Sequence, residues 1–145
     1  MVAIREGIIA MNQDLTGKTA YTFTKILKVA QSENEAWNKV SNENPGRGLR
    51  GGWLNLEFPV ALTGTGLSAL DLTITHADTE GGSYTTAASH AVSNYDAAQG
   101  TFSVKLPDTM KAFVKFTLTP TLSSGSLTAG TVNAFIGERV PEYNY

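Results

Sequence analysis

The sequence predicts an all-β chain folded as one antiparallel β-sandwich. Three observations predict it: short segments that alternate apolar and polar residues, Gly- or Pro-bearing turns between them, and low charge combined with many hydroxyl side chains. Of 145 residues, 17% are charged, 18 are Thr, 10 are Ser and 14 are Gly. β-Branched residues fit strands and Gly fits turns. A chain of this length folds as a single domain and buries about 70% of its unfolded surface.

Residues 1–18 show no clear period and read as an N-terminal arm, either extended or holding a short helix over 4–11. Residues 20–30 place Tyr21, Phe23, Leu27 and Val29 in one phase, a strand that Lys25 interrupts. Residues 31–52 are a long polar loop with four Asn, one Pro and four Gly, and a helical turn is expected near 35–40. Its Trp37 either plugs the loop onto the core, the commoner role, or meets a partner.

From Trp53 onward the alternation repeats. Leu54, Leu56 and Phe58 share a face opposite Asn55 and Glu57, and Pro59 marks an edge or a strand end. Leu70, Leu72 and Ile74 form the next strand, and residues 84–92 a weaker one. Phe102, Val104 and Leu106 follow and stop at Pro107. Ala112, Val114, Phe116 and Leu118 come next, and Val132, Ala134 and Ile136 make the last strand after Gly130. Turns fall at 63–66, 80–82, 96–100 and 123–125, with no helical segment between strands. Seven or eight such strands, each with one wet face, fit a jelly roll spanning 19–137, followed by a tail at 138–145.

Composition excludes several function classes. Without cysteine there is no disulfide framework, thiolate metal site or thiol nucleophile. A net charge of −2 argues against a binder driven by phosphate neutralisation, so no nucleic-acid partner is expected. No apolar run reaches the roughly 18 residues of a membrane helix, and no signal-peptide pattern opens the chain.

Motifs that would carry chemistry are weak. Gly17-Lys18-Thr19 resembles the end of a P-loop, but Asn12 stands where that motif needs its first Gly. His76, Asp78 and Glu80 would share a face of an extended strand and suit a metal or acid–base site. The Gly81-Gly82 pair argues instead that the strand ends near Asp78. No G-x-S-x-G elbow is present. No catalytic residue, cofactor or metal is therefore expected. Arg47 and Arg50, set among glycines, suit protein contacts, and Tyr143 and Tyr145 suit an aromatic anchor or a disordered end.

Several landmarks occur in order between residues 46 and 137. Gly46-Arg-Gly48 precedes the Leu54–Phe58 strand, and a Leu-x-Leu-x-Ile strand ends in Thr75-His-Ala-Asp78. Phe102-Ser-Val-Lys-Leu-Pro107 leads to Lys111-Ala-Phe-Val-Lys-Phe-Thr-Leu118, and Leu127-Thr-Ala-Gly-Thr-Val-Asn-Ala134 closes the series. This stretch resembles the jelly-roll cement, or decoration, proteins on capsids of tailed bacteriophages. It departs from them in the Asn-rich insertion at 31–45 and in residues 49–52.

The resemblance implies a non-enzymatic virion protein on the capsid exterior, assembled in the bacterial host cytoplasm. Its partners would be the major capsid protein and further copies of itself, as dimer or trimer. Arg5, Ile8, Ile9, Arg47, Arg50, Tyr143 and Tyr145 are the expected interface residues, in the arm, the 44–52 loop and the tail. Deleting residues 1–14 is expected to abolish capsid binding while sparing the fold. The rival expectation is a carbohydrate- or receptor-binding module of a tail or fibre, using Trp53, Tyr84 and Tyr95.

Overall fold

Alternation with a period of two commits each segment to a sheet with one face inward, and the protein joins two such sheets. A computed structural model describes residues 7–29 and 52–137. The expected helical turn at 35–40, Trp37, most of the polar loop and the 138–145 tail lie outside the described residues. The strands are β1 (Ile8–Asp14), β2 (Tyr21–Thr22), β3 (Leu27–Lys28), β4 (Trp53–Gly64), β5 (Ala69–Ala77), β6 (Thr85–Ala91), β7 (Gly100–Lys105), β8 (Phe113–Thr121) and β9 (Leu127–Gly137).

One sheet runs β1-β9-β4-β7 and the other β2-β8-β5-β6, with β3 also on β8. Every pairing is antiparallel. Around the β5–β6 turn the pairings are mirror images: β5 with β6, β4 with β7, β2 and β3 with β8, β1 with β9. The chain is thus one long two-stranded ribbon, rolled so that β4 meets β9 and β5 meets β8. That connectivity is the jelly roll.

The inner faces make the core. Leu54, Leu56, Phe58, Leu62, Val132, Ala134 and Ile136 from one sheet meet Leu70, Leu72, Ile74, Val114, Phe116 and Leu118 from the other, all buried. Burying each large side chain contributes about 1.5–3 kcal/mol.

Four expectations are corrected. The arm is not free over its second half, because β1 pairs with β9 from Ile8↔Phe135 to Asp14↔Thr131. Two register shifts interrupt that ladder, and Asn12 turns to φ 51 with its N–H donating to Asn133 Oδ1 at 2.6 Å. Those bulges erase the period that would have revealed the strand. Deleting residues 1–14 would therefore remove a strand, so that deletion does not spare the sandwich.

The single strand expected over 20–30 is two. Phe23, Leu27 and Val29 keep the inward phase, but Lys25 reaches across to β1, its Nζ donating to the Ile8 carbonyl at 2.8 Å. Pro59 does not end β4. It sits where the pairing to β7 stops, at Phe58↔Gly100, and where the register to β9 shifts between Glu57 and Val60. A proline lacks a ladder N–H, so this is a position where a strand accommodates one. Finally, the outer face of the first sheet is not uniformly wet: Asn55, Thr101 and Phe135 are all buried there. Asn55, 0% exposed, accepts the Ser103 hydroxyl at 2.5 Å on its Oδ1. This pairing satisfies part of a polar group that would be costly if left alone.

The Gly17-Lys18-Thr19 motif is a turn. Asp14 Oδ1 accepts the Thr16 N–H at 2.9 Å, Gly17 sits at φ 83, and its N–H donates to the Leu127 carbonyl at 2.8 Å. The chain then enters β2 with no helix N-terminus to cradle a phosphate. The backbone N–H and the hydroxyl of Thr16 hold the Asp14 carboxyl below its ordinary value, with a smaller contribution from Lys18. A depressed folded value stabilises the turn above the unfolded pKa and is lost as pH falls through the folded one. Asp14 is exposed, so the effect on global stability is small. The expected result is local: in an NMR titration the Asp14 carboxyl and the Thr16 amide move together, at a pH below that of a free aspartate.

Candidate functional site

The three residues of the H-x-D-x-E pattern part company in space because β5 ends at Ala77. His76 is still on the strand, and its Nδ1 accepts the Lys111 backbone N–H at 3.2 Å, an arrangement that puts the proton of the neutral ring on Nε2. Asp78 lies in the turn with its Oδ2 3.9 Å from Lys111 Nζ, and these side chains are 83% and 45% exposed. An ion pair that open contributes little. At Glu80 it is the backbone carbonyl that is engaged, by the Tyr84 hydroxyl at 2.7 Å. Lys115 Nζ stands 4.1 Å from the Tyr84 ring centroid, completing a chain of local contacts along the end of the sheet.

Among the described residues no group of three or more His, Asp or Glu gathers around a point that could hold a metal ion. Asp78→Ala is expected to change folding stability by less than about 0.5 kcal/mol. Added zinc or calcium is expected to leave the melting temperature of either protein unmoved, as differential scanning calorimetry would read.

The aromatic side chains that a glycan platform would need are dispersed. Trp53 opens β4, half-buried, whereas Tyr95 lies in the β6–β7 connection with its carbonyl accepting the Leu62 N–H at 2.8 Å. Those two places along β4 are roughly 30 Å apart at the usual strand rise. Tyr84 belongs to the other sheet, just before β6. Burial pushes both tyrosine phenols up, and Glu80 and Asp96 push Tyr84 and Tyr95 further in the same direction. The crevice lined by Leu15, Tyr21, Leu70, Leu118, Pro120 and Leu127 is too narrow for a water molecule.

Of the expected interface residues, Arg5, Arg47, Arg50, Tyr143 and Tyr145 lie outside the described residues. Ile8 is half-buried at the start of β1, and its carbonyl holds Lys25. Ile9 is 8% exposed and belongs to the core, so its side chain faces away from any partner on the surface. Sequence reasoning missed two apolar side chains that do face solvent, Met11 at 56% and Val60 at 49%, on β1 and β4 of the same sheet. Both adjoin register shifts, where no simple period announces which way a residue points. Single exposed apolar side chains are ordinary on a surface.

The described surface therefore offers edges and faces for recognition and no convergent chemical groups. No protein-family model matches this chain, and no curated protein matches it.

Proposed function

We propose that this chain is a capsid decoration protein, which binds the outer surface of an assembled phage shell and bridges neighbouring capsomers. One observation carries the reading most. The landmark segments of the resemblance that fall within the described residues lie on or border β4, β5, β7, β8 and β9, strands of a jelly roll. A ligand that binds only the assembled lattice stabilises it by mass action, as RT ln(1 + [L]/Kd). Repetition over symmetric sites multiplies that effect through avidity. The major capsid protein and further copies of this chain are the partners in this reading.

The experiment is a copy number. Quantitative densitometry of purified virus particles is expected to give hundreds of copies, in a simple ratio to the major capsid protein. A handful of copies per particle would place the chain in a tail or fibre, and absence from particles would end the reading. Particles lacking the protein are expected to rebind the full chain and to bind less of a variant without residues 1–6.

A further inference from the structure

Sheet edges are where a β-sandwich can extend itself. The first sheet ends in β1, broken by two register shifts and closed by Asp14, and in β7, which ends at Lys105. The second sheet ends on one side in the two-residue strands β2 and β3 and on the other in β6. β6 is seven residues long and reads Thr85-Thr-Ala-Ala-Ser-His-Ala91, with no proline and neither carboxylate nor lysine. It therefore carries none of the inward charges or prolines by which edges are usually protected, and its one interruption is a bulge at Ala87, where the pairing to β5 passes from Ile74↔Ala88 to Thr75↔Thr86.

The direction of its backbone groups follows from one bond. The Val92 N–H donates to the Leu70 carbonyl at 2.8 Å, so Val92 faces β5. Alternation in the register Leu72↔His90 and Thr73↔Ser89 then turns His90 toward β5 and leaves the N–H and C=O of Ser89 and Ala91 pointing away. Among the described residues no strand lies on that side. Backbone polar groups need partners, and here water serves until a strand arrives.

We propose that β6 is a self-association edge: two copies pair β6 to β6, antiparallel, about a two-fold axis at Ser89, joining two sheets into one. At the axis each Ser89 N–H donates to the Ser89 carbonyl of the other copy, and the bulge at Ala87 confines the regular pairing to the residues around Ser89. Across the seam Ser89 faces Ser89 and His90 faces Ala88, so no carboxylates or lysines meet there. Small side chains also bury little area, so the contact is weak in dilute solution and becomes firm when a lattice holds copies side by side. The proposal gives a surface to the self-association contained in the decoration reading. It is tested on isolated protein, so either can fail without the other.

The chain has no cysteine, so one introduced thiol reports cleanly. Hydrogen-bonded antiparallel partners stand about 5.5 Å apart at Cα, within the range a disulfide spans. Ser89→Cys is expected to oxidise to a covalent dimer, whereas Thr119→Cys, exposed on β8 two strands from the edge, stays monomeric under the same oxidant. Sedimentation equilibrium of the wild type is expected to show reversible dimers at high concentration. Ser89→Lys, which sets two ammonium groups face to face at the axis, is expected to weaken them at least about tenfold with an unchanged circular dichroism spectrum. Equal cross-linking at positions 89 and 119, or dimers indifferent to Ser89→Lys, would overturn the proposal.

Discussion

Phe116→Ala is expected to cost about 3–5 kcal/mol of folding stability. The ring is fully buried near the middle of β8, in the layer between the sheets. Removing it opens a cavity, and the cost depends on how far the walls can close. Here they are held on both sides. Phe116 is in register with Ile74 of β5, and its carbonyl accepts the Phe23 N–H at 2.9 Å. A domain of this kind has only about 5–15 kcal/mol in total, so much of its stability goes with one ring. Urea titration checks this, with a lowered midpoint and an unchanged slope. A loss below about 1 kcal/mol would mean the sheets slide together more freely than the ladder implies. The neighbouring Thr117→Ala, which removes only an exposed hydroxyl contact to Thr22 at 2.9 Å, serves as the control and is expected to change little.

Gly130→Ala is expected to cost on the order of 3 kcal/mol, from two causes acting at one atom. Gly130 lies inside β9 at φ 134, a conformation that side-chain-bearing residues rarely adopt. A Cβ there would also stand 2.7 Å from Leu62 Cδ1 and 2.9 Å from Leu62 Cα. Rotating the leucine relieves the first clash but not the second, because Cα is backbone. Leu62 is itself buried, so the strain passes into the core. Gly125→Ala separates the causes. That residue also has a positive φ, 70, but nothing within 4 Å of the added carbon, so it carries the strain alone and is expected to cost about 1 kcal/mol. Similar melting temperatures for the two variants would remove the clash from the argument.

The strands that pack the core were legible because each keeps one inward phase, as Leu54-Leu56-Phe58 and Val114-Phe116-Leu118 do. β1 was not legible, since bulges at Ala10–Gln13 scramble its phase. Lys25 was visible as a flaw in a strand, yet its role required the Ile8 carbonyl, which only the packed sheets bring near. Asn55 looked like a solvated residue because its partner, Ser103, is supplied by β7. The candidate site was legible mainly in what it lacks: the glycines after Glu80 foretold the collapse of the H-x-D-x-E face. The β6 edge could not be read, because being an edge belongs to the sheet order and not to the strand.

The rolled ribbon also fixes when each part of the chain can become structured. During synthesis β5 and β6 find each other early, while β1 must wait until nearly the whole chain has emerged, since Asn12 bonds Asn133 at a separation of 121 residues. Long-range pairings of this kind slow folding, because loop closure must precede any contact that rewards it. Through that interval β1 lacks the strand it pairs with and presents a raw flank. The growing polypeptide is most prone to stick to its siblings just before its first strand is finally claimed.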